Sequence, residues 1–197
     1  MALFPPTAHA LPFAVMFDAG LRTMSNSNET EKAIFGTKNG IGAGLGISVD
    51  RGQRWRFSIE GRHIRREGER AFAVDRTSPA FRLGHPLTFT MTPAVATAAF
   101  RFGKLAGLSP YVSVGGGMMS WKEQSDIAGL IEKSDGRSGL FEAKVGFERD
   151  QGWIRLGVEA GMTWVPGAIG VGGISKVYEE KDPGGLFVVG KIGFSRK

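Results

Sequence analysis

The chain has 197 residues with 30 glycines, no cysteine, a formal net charge of +6 and an isoelectric point near 9.8. That length favours one domain, the lack of cysteine excludes disulfides and thiolate metal sites, and no run approaches the roughly 20 apolar residues of a membrane helix. A mean hydropathy of -0.09 leaves membrane strands open, because only every second residue of such a strand has to be apolar.

Met1 to Ala10 lacks the basic start and long apolar centre of a complete signal peptide. Ala8-His9-Ala10 nevertheless has the small-x-small form of a cleavage site. We read 1–10 as an N-terminal tail, either the end of an export signal or a disordered extension, and 11–197 as one domain. From Leu11 the side chains alternate. Leu11, Phe13, Val15, Phe17, Ala19 and Leu21 share one face, while Asp18, Gly20 and Arg22 share the other. A polar stretch, Ser25 to Asn39, follows this first strand. The second strand, Gly40 to Val49, sets Ile41, Ala43, Leu45 and Ile47 against Gly42, Gly44, Gly46 and Ser48. Strict period two marks those glycines as the small face of a strand rather than a dinucleotide loop. Asp50 to Gln53 is a tight turn. The third strand opposes Trp55, Phe57 and Ile59 to Arg54, Arg56, Ser58, Glu60 and Arg62, and a long charged stretch runs from Arg65 to Pro86.

The fourth strand opens with Leu87, Phe89 and Met91 as its apolar face. Phe100 and Phe102 lie on the opposite parity, so the reading places a bulge at Pro93. Tyr111 to Trp121 forms the fifth strand, with Lys122 to Ser138 polar beyond it. The sixth sets Phe141, Ala143, Val145 and Phe147 against Glu142, Lys144 and Glu148, and turns at Arg149 to Gly152. The seventh, Trp153 to Trp164, is the clearest: Ile154, Leu156, Val158, Ala160 and Met162 against Arg155, Gly157, Glu159, Gly161 and Thr163. Pro166 to Pro183 is a Gly-rich loop. The eighth strand sets Leu186, Val188, Ile192 and Phe194 against Phe187, Val189 and Lys191.

Charges and glycines on one face suit a crowded polar lumen, which leaves the apolar face for lipid. Connections alternate long and short, with the short ones near 50–53, 103–110 and 149–152. Aromatics gather in two sets. Phe13, Trp55, Phe102, Tyr111, Phe147, Trp153 and Phe194 lie at the short-turn end, and Phe89, Trp121, Phe141 and Trp164 towards the long-loop end. The expected fold is an all-β, eight-stranded antiparallel up-and-down transmembrane β-barrel with short periplasmic turns and long outer loops.

With this topology, the phrase Ser109-Pro110-Tyr111-Val112-Ser113-Val114-Gly115-Gly116-Gly117 and a last strand ending at Phe194, residues 11–194 resemble the small eight-stranded outer-membrane barrels, OmpA/OmpX-like and OmpW-like. The resemblance implies the bacterial outer membrane, both termini periplasmic, and a terminal aromatic that belongs to the assembly signal. Here Ser195-Arg196-Lys197 follow that aromatic. These families share no single activity, so the resemblance speaks to location more than to function.

The expected lumen network comprises Asp18, Arg22, Arg54, Arg56, Glu60, Arg62, Glu142, Lys144, Glu148, Arg155, Glu159 and Lys191. An eight-stranded barrel is just wide enough for its side chains to fill it, and charges buried there have to pair. A salt-bridged plug is the structural reading, with Arg54, Arg56 and Arg155 near Glu60, Glu142 and Glu159. A narrow polar channel for small or apolar solutes is the rival. Acid–base catalysis by Glu142 with Glu159 is disfavoured, since basic neighbours would keep both ionised. His63 and His85 flank the charged stretch and are expected near each other at the outer rim. The outer-membrane lipid A deacylase and palmitoyltransferase each use a His and a Ser, but no Ser stands at a convincing spacing here. A soluble lipocalin-like carrier is a further alternative. Arg62, Arg65, Arg66 and Arg70 concentrate charge at the outer end, where guanidinium forks suit phosphate. The expected partners are outer-membrane lipids and lipopolysaccharide, or another envelope protein, with no catalytic residue, cofactor, metal or nucleic acid.

Overall fold

The computed structural model describes residues 13–127, 129–167 and 173–196, so the reading of Met1 to Ala10 lies outside the described residues. Eight strands follow one another: β1 (Phe13–Thr23), β2 (Asn39–Arg51), β3 (Trp55–Phe72), β4 (Phe81–Arg101), β5 (Ser109–Ile127), β6 (Leu130–Gln151), β7 (Ile154–Trp164) and β8 (Gly185–Arg196). Each pairs antiparallel with the next, and β8 pairs with β1 to close the barrel. Closing the ladder leaves no sheet edge, so backbone groups along the strands pair with their neighbours, which lipid requires.

Side-chain parity follows the charge pattern. Asp18, Arg22, Arg56, Glu60, Arg62, Glu142, Lys144, Arg155 and Glu159 are buried, while Phe17, Leu45, Ile59, Val145, Val158 and Val188 are exposed on the outer wall. Small residues on the inner face are a steric demand. A Cβ on Gly44 would come within 2.5 Å of Asp18 Oδ2 and 2.7 Å of Arg62 Cγ. At the two tightest turns Gly52 and Gly152 take φ of 65° and 63°, a left-handed region that glycine enters at little cost.

The strands differ in length. β1, β2, β7 and β8 have 11, 13, 11 and 12 residues, close to the roughly 9–11 needed to cross a bilayer. β3 to β6 have 18, 21, 19 and 22. The excess of about six to ten residues carries these four strands roughly 20–33 Å of contour beyond the rest, all at one end. Two segments expected as polar loops are therefore extended hairpins, because Arg65 to Pro86 and Lys122 to Ser138 pair across their strands. The other two long connections hold short helices, α1 (Asn28–Phe35) and α2 (Gly173–Val177).

The fourth strand corrects the sequence reading. Its register against β5 runs unbroken through Pro93, which stands opposite Met119, so no bulge lies there. The irregularity is higher up, between Glu69 and Ala71. Leu87, Phe89 and Met91 point inward and are buried, and the even residues through Phe100 form the outer face. The aromatic sets change accordingly. Tyr111 is inward and donates to Glu159 Oε2 at 2.8 Å, and Phe89 stacks inside near Trp121 with centroids 6.2 Å apart. The girdle at the short-turn end survives as Trp55 on Phe100 (5.2 Å), Phe100 on Phe102 (5.4 Å) and Trp153 on Phe194 (5.4 Å). At the other end Phe141 and Trp164 face outward on paired positions.

Candidate functional site: a sealed charged lumen and a basic outer rim

The lumen is filled in layers. Nearest the short turns, Asp50 accepts from Arg56 Nε at 2.7 Å and from Arg155 Nη2 at 3.1 Å. Arg56 also binds Glu148, and Arg155 donates from Nε to Asp150 at 2.8 Å. Asp50 and Arg56 are direct cross-strand partners, as are Asp150 and Arg155. That register explains why Arg56 and Arg155 pair here rather than with the expected Glu60, Glu142 and Glu159. Asp50 went unrecognised as a lumen residue, although it continues the even inward parity of β2 past Ser48.

In the middle layer Arg62 forks onto Glu142, with Nη1 to Oε2 at 2.5 Å and Nη2 to Oε1 at 3.0 Å. The same guanidinium donates to Glu60 at 2.6 Å. Lys144 lies 2.9 Å from Glu60, 3.2 Å from Glu142 and 3.5 Å from Glu159, and Lys191 joins Glu60 to Glu159 at 3.3 and 3.2 Å. Arg22 lies above them with its guanidinium 4.6 Å from the Phe187 ring centroid. Glu142 and Glu159 share Lys144 and Arg62 and are buried.

Above this the interior turns apolar. Met24, Ile64, Leu87, Phe89, Met91, Val95, Met119, Leu140 and Val165 form one buried cluster, with Ile34 and Phe35 of α1 and Trp121 packed on it. Two cavities among the described residues inside the barrel measure about 30 and 20 Å³, room for one or two waters each. A pore would require displacing this stopper. Arg66 fixes α1 on top of it by an ion pair with buried Glu31, a bond to the Thr37 carbonyl, and stacking 4.2 Å from the Phe35 centroid. Glu180, beyond α2, accepts from the backbone N–H groups of Glu29 (3.0 Å) and Thr30 (2.7 Å) and so satisfies the first turn of α1.

Four expected site residues fall elsewhere. Arg54 lies exposed in the β2–β3 turn, 5.9 Å from the Phe100 centroid, because it precedes the first inward position of β3. Arg62 and Arg66 are buried in lumen and mouth, since both carry the inward parity of β3. Arg70 pairs with Glu132 of β6, and of the expected cluster Arg65 alone faces outward, 2.7 Å from Glu67. His63 and His85 do not meet. Ile64 pairs with Met91 and Glu69 with Pro86, which sets the two positions about seven residues apart along the hairpin, roughly 23 Å. Among the described residues no cluster of three His, Asp or Glu side chains is placed to hold a metal ion.

The outward positions just above the apolar wall are polar, and three of their four charges are basic. Arg65, Thr90, Lys122 and Asp135 are successive cross-strand partners, and Thr92, Ser120 and Arg137 form the next row down. Directly beneath lie Ala94, Met118, Gly139 and Phe141. Neighbouring strands stand about 4.8 Å apart, so Arg65, Lys122 and Arg137 fall within roughly 10–15 Å of one another. On the inner side of the same projecting sheet, burial pushes the Glu123 carboxyl up, against the attraction of Arg70 and with help from Glu132. A raised pKa means the neutral form suits the folded state. The contribution is present below the ordinary carboxylate range and is lost as pH rises through the raised value. Glu123→Gln is therefore expected to raise the melting temperature near pH 8 and leave it unchanged near pH 4, as a thermal scan at the two pH values would show.

No family model matches the chain, and no curated protein matches it. Among solved structures, Neisserial surface protein A (NspA) is similar, with a TM-score of 0.58 at 10% identity, covering 93% of this chain and 96% of that one. The attachment invasion locus protein Ail of Yersinia pestis is similar too, with a TM-score of 0.56 at 14% identity, covering 95% of this chain and all (100%) of that one. At such low identity what is shared is the fold, that of small eight-stranded outer-membrane β-barrels.

Proposed function

We propose that this chain is a non-catalytic component of a bacterial outer membrane, with both termini periplasmic and the projecting hairpins outside, and that it contacts lipopolysaccharide through its outer rim. The carrying observation is the band of outward-facing Arg65, Lys122 and Arg137 immediately above the apolar wall. That is the depth at which lipid head-group phosphates lie, and guanidinium and ammonium groups recognise them by charge-assisted hydrogen bonds. Glu67 and Asp135 share the band, yet Lys133 adds a further cation opposite Gln124. Exposed charges contribute little to folding, so their concentration at this level is better explained by contact with an anionic surface. The same interior packing that seals the lumen favours a structural or interaction role over conduction.

The test is a triple variant, Arg65→Ser, Lys122→Ser and Arg137→Ser. It should fold as well as the parent, since none of the three reaches the lumen. Its association with lipopolysaccharide in mixed vesicles should fall several-fold at low salt, and the difference should shrink as ionic strength rises. Equal binding by parent and variant would overturn the proposal. The pair His63→Ala and His85→Ala should leave binding intact, and loss of a lipid-hydrolysing or acyl-transfer activity in that pair would favour an enzyme instead.

A further inference from the structure

Beyond the membrane-facing rim, α1, the β3–β4 connection and Tyr178 enclose an open groove of about 490 Å³. That volume lies in the range of small-molecule sites. Its polar lining is Glu29 and Lys32 from α1, Arg76, Thr77 and Ser78 from the connection, and Arg82 from the start of β4, set among the apolar Ala33, Pro79 and Ala80.

The groove is held in shape from behind. Asp75 Oδ1 accepts from the backbone N–H groups of Thr77 and Ser78, both at 2.8 Å, which locks the turn carrying the two hydroxyls. Those bonds also hold the Asp75 carboxyl below its usual range. Arg82 donates from Nε to the Ala33 carbonyl at 3.2 Å, so its guanidinium is oriented by α1. Beneath the floor, Ala73, Ile174 and Tyr178 form a buried cluster with Ala33, Ile34, Ala71, Ala80 and Val177 packed on it. α1, α2 and the top of the β3–β4 hairpin are thus packed on one another.

The carboxylates nearby are already engaged. Asp75 serves its own turn, Glu180 serves the first turn of α1, and Glu29 is held by Lys32 at 3.3 Å and by Asn28 at 2.7 Å. Arg76 meets Glu179 at 3.3 Å with both side chains more than two-thirds exposed, a pairing that water and salt compete with easily. In the lining Lys32, Arg76 and Arg82 outnumber Glu29, so the groove is cationic on balance, with the hydroxyls of Thr77 and Ser78 beside the guanidinium of Arg76.

The geometry points to a binding site for a small acidic sugar, its carboxylate or phosphate received by Arg76 and Arg82 and its ring hydroxyls by Thr77, Ser78 and Lys32. A wide, wet, polar groove suits a saccharide better than an apolar ligand, which would need a drier wall. The sugar could reach it from the saccharide of a lipid in the same membrane or as a free glycan, and the chemistry of recognition is common to both.

The experiment uses the full chain in phospholipid nanodiscs free of lipopolysaccharide, titrated with galacturonic acid, glucose 1-phosphate and neutral glucose and read by NMR shifts. Both acidic sugars should bind saturably. Glucose should bind at least about tenfold more weakly, as expected when charge-assisted contacts are missing. Arg76→Ser with Arg82→Gln should weaken the acidic sugars by a similar factor. Because Arg82 also braces α1, Arg76→Ser with Ser78→Ala is the companion variant, and it should show the same direction with the fold unaltered. The outer-rim triple variant should bind like the parent, which keeps this test separate from that of the rim. No saturable shift, equal binding of glucose, or full binding by both groove variants would overturn the assignment. Adding lipopolysaccharide with an acidic core to the same discs identifies the source: competition marks a membrane-tethered sugar, and undiminished binding a free one, the site standing in both cases.

Discussion

Val145→Arg is expected to destabilise the barrel in a bilayer by about 2–4 kcal/mol, the cost of a cation facing the hydrocarbon midplane. Val145 is exposed on the outer wall, between Phe147 towards the short turns and Phe141 towards the projecting end. Its cross-strand partners Val112 and Ala160 carry the same apolar face around the barrel. The same substitution at Gln124, outward on β5 above the basic rim, should cost no more than about 1 kcal/mol, because a cation there sits in water or among head groups. Urea unfolding in phospholipid vesicles measures both. A neutral Val145→Arg would mean that this face does not meet lipid.

That prediction needs only the sequence, and the reason is physical. On β2, β3, β6 and β7 the inner face is mostly charged residues, glycines and hydroxyls and the outer face is mostly apolar, so parity can be read directly, whereas on β8 Phe187 and Val189 are buried inside and Lys191 alone marks the inner face by charge. The rule assumes a polar interior. It fails on β4, where the lumen changes character along its length and Leu87, Phe89 and Met91 belong to an apolar stopper. A uniform parity from Thr88 through Ala94, Ala96 and Ala98 to Phe100 would have avoided the error, because it requires no bulge. The hairpin extensions are hidden for a related reason. Outside the membrane neither face of a strand has to be apolar, so Lys122 to Ser138 looks like a loop while pairing residue for residue.

The stopper itself left partial traces. Asn28 to Phe35 followed by Gly36 is a helix with an acidic first turn and a left-handed C-terminal glycine, φ 72°. That signal was available in a stretch read only as polar. What could not be read is that Glu31 would meet Arg66, since the pairing joins residues 35 apart through tertiary packing. The same holds for Arg66, read as a rim residue, whereas Arg62, read both as a lumen and as a rim residue, stands in the lumen. Charge density along the chain does not distinguish an exposed loop from a strand whose alternate residues enter the barrel.

Arg62→Met is the substitution with the largest expected loss, about 3–5 kcal/mol, because it leaves buried carboxylates without their main counter-charge. Glu142 loses both arms of its fork and keeps only Lys144, which it shares with Glu60, and Asp18 loses Arg62 at 3.8 Å, while Glu60 keeps Lys144 and Lys191, so the loss falls mainly on Glu142 and Asp18. Arg62→Met with Glu142→Gln should therefore recover much of the loss, since a neutral amide can still accept from Lys144 and from Thr163, now 3.2 Å away. The two changes should be strongly non-additive in a double-mutant cycle. Arg65→Ser, three positions along the same strand, removes an equal charge but should cost under about 1 kcal/mol, because its partner Glu67 is exposed and water replaces the contact. The contrast separates a charge held for the fold from one free to meet a ligand. Equal costs for Arg62→Met and Arg65→Ser would show that water enters the lumen and solvates Glu142, and the barrel would then be permeable rather than sealed.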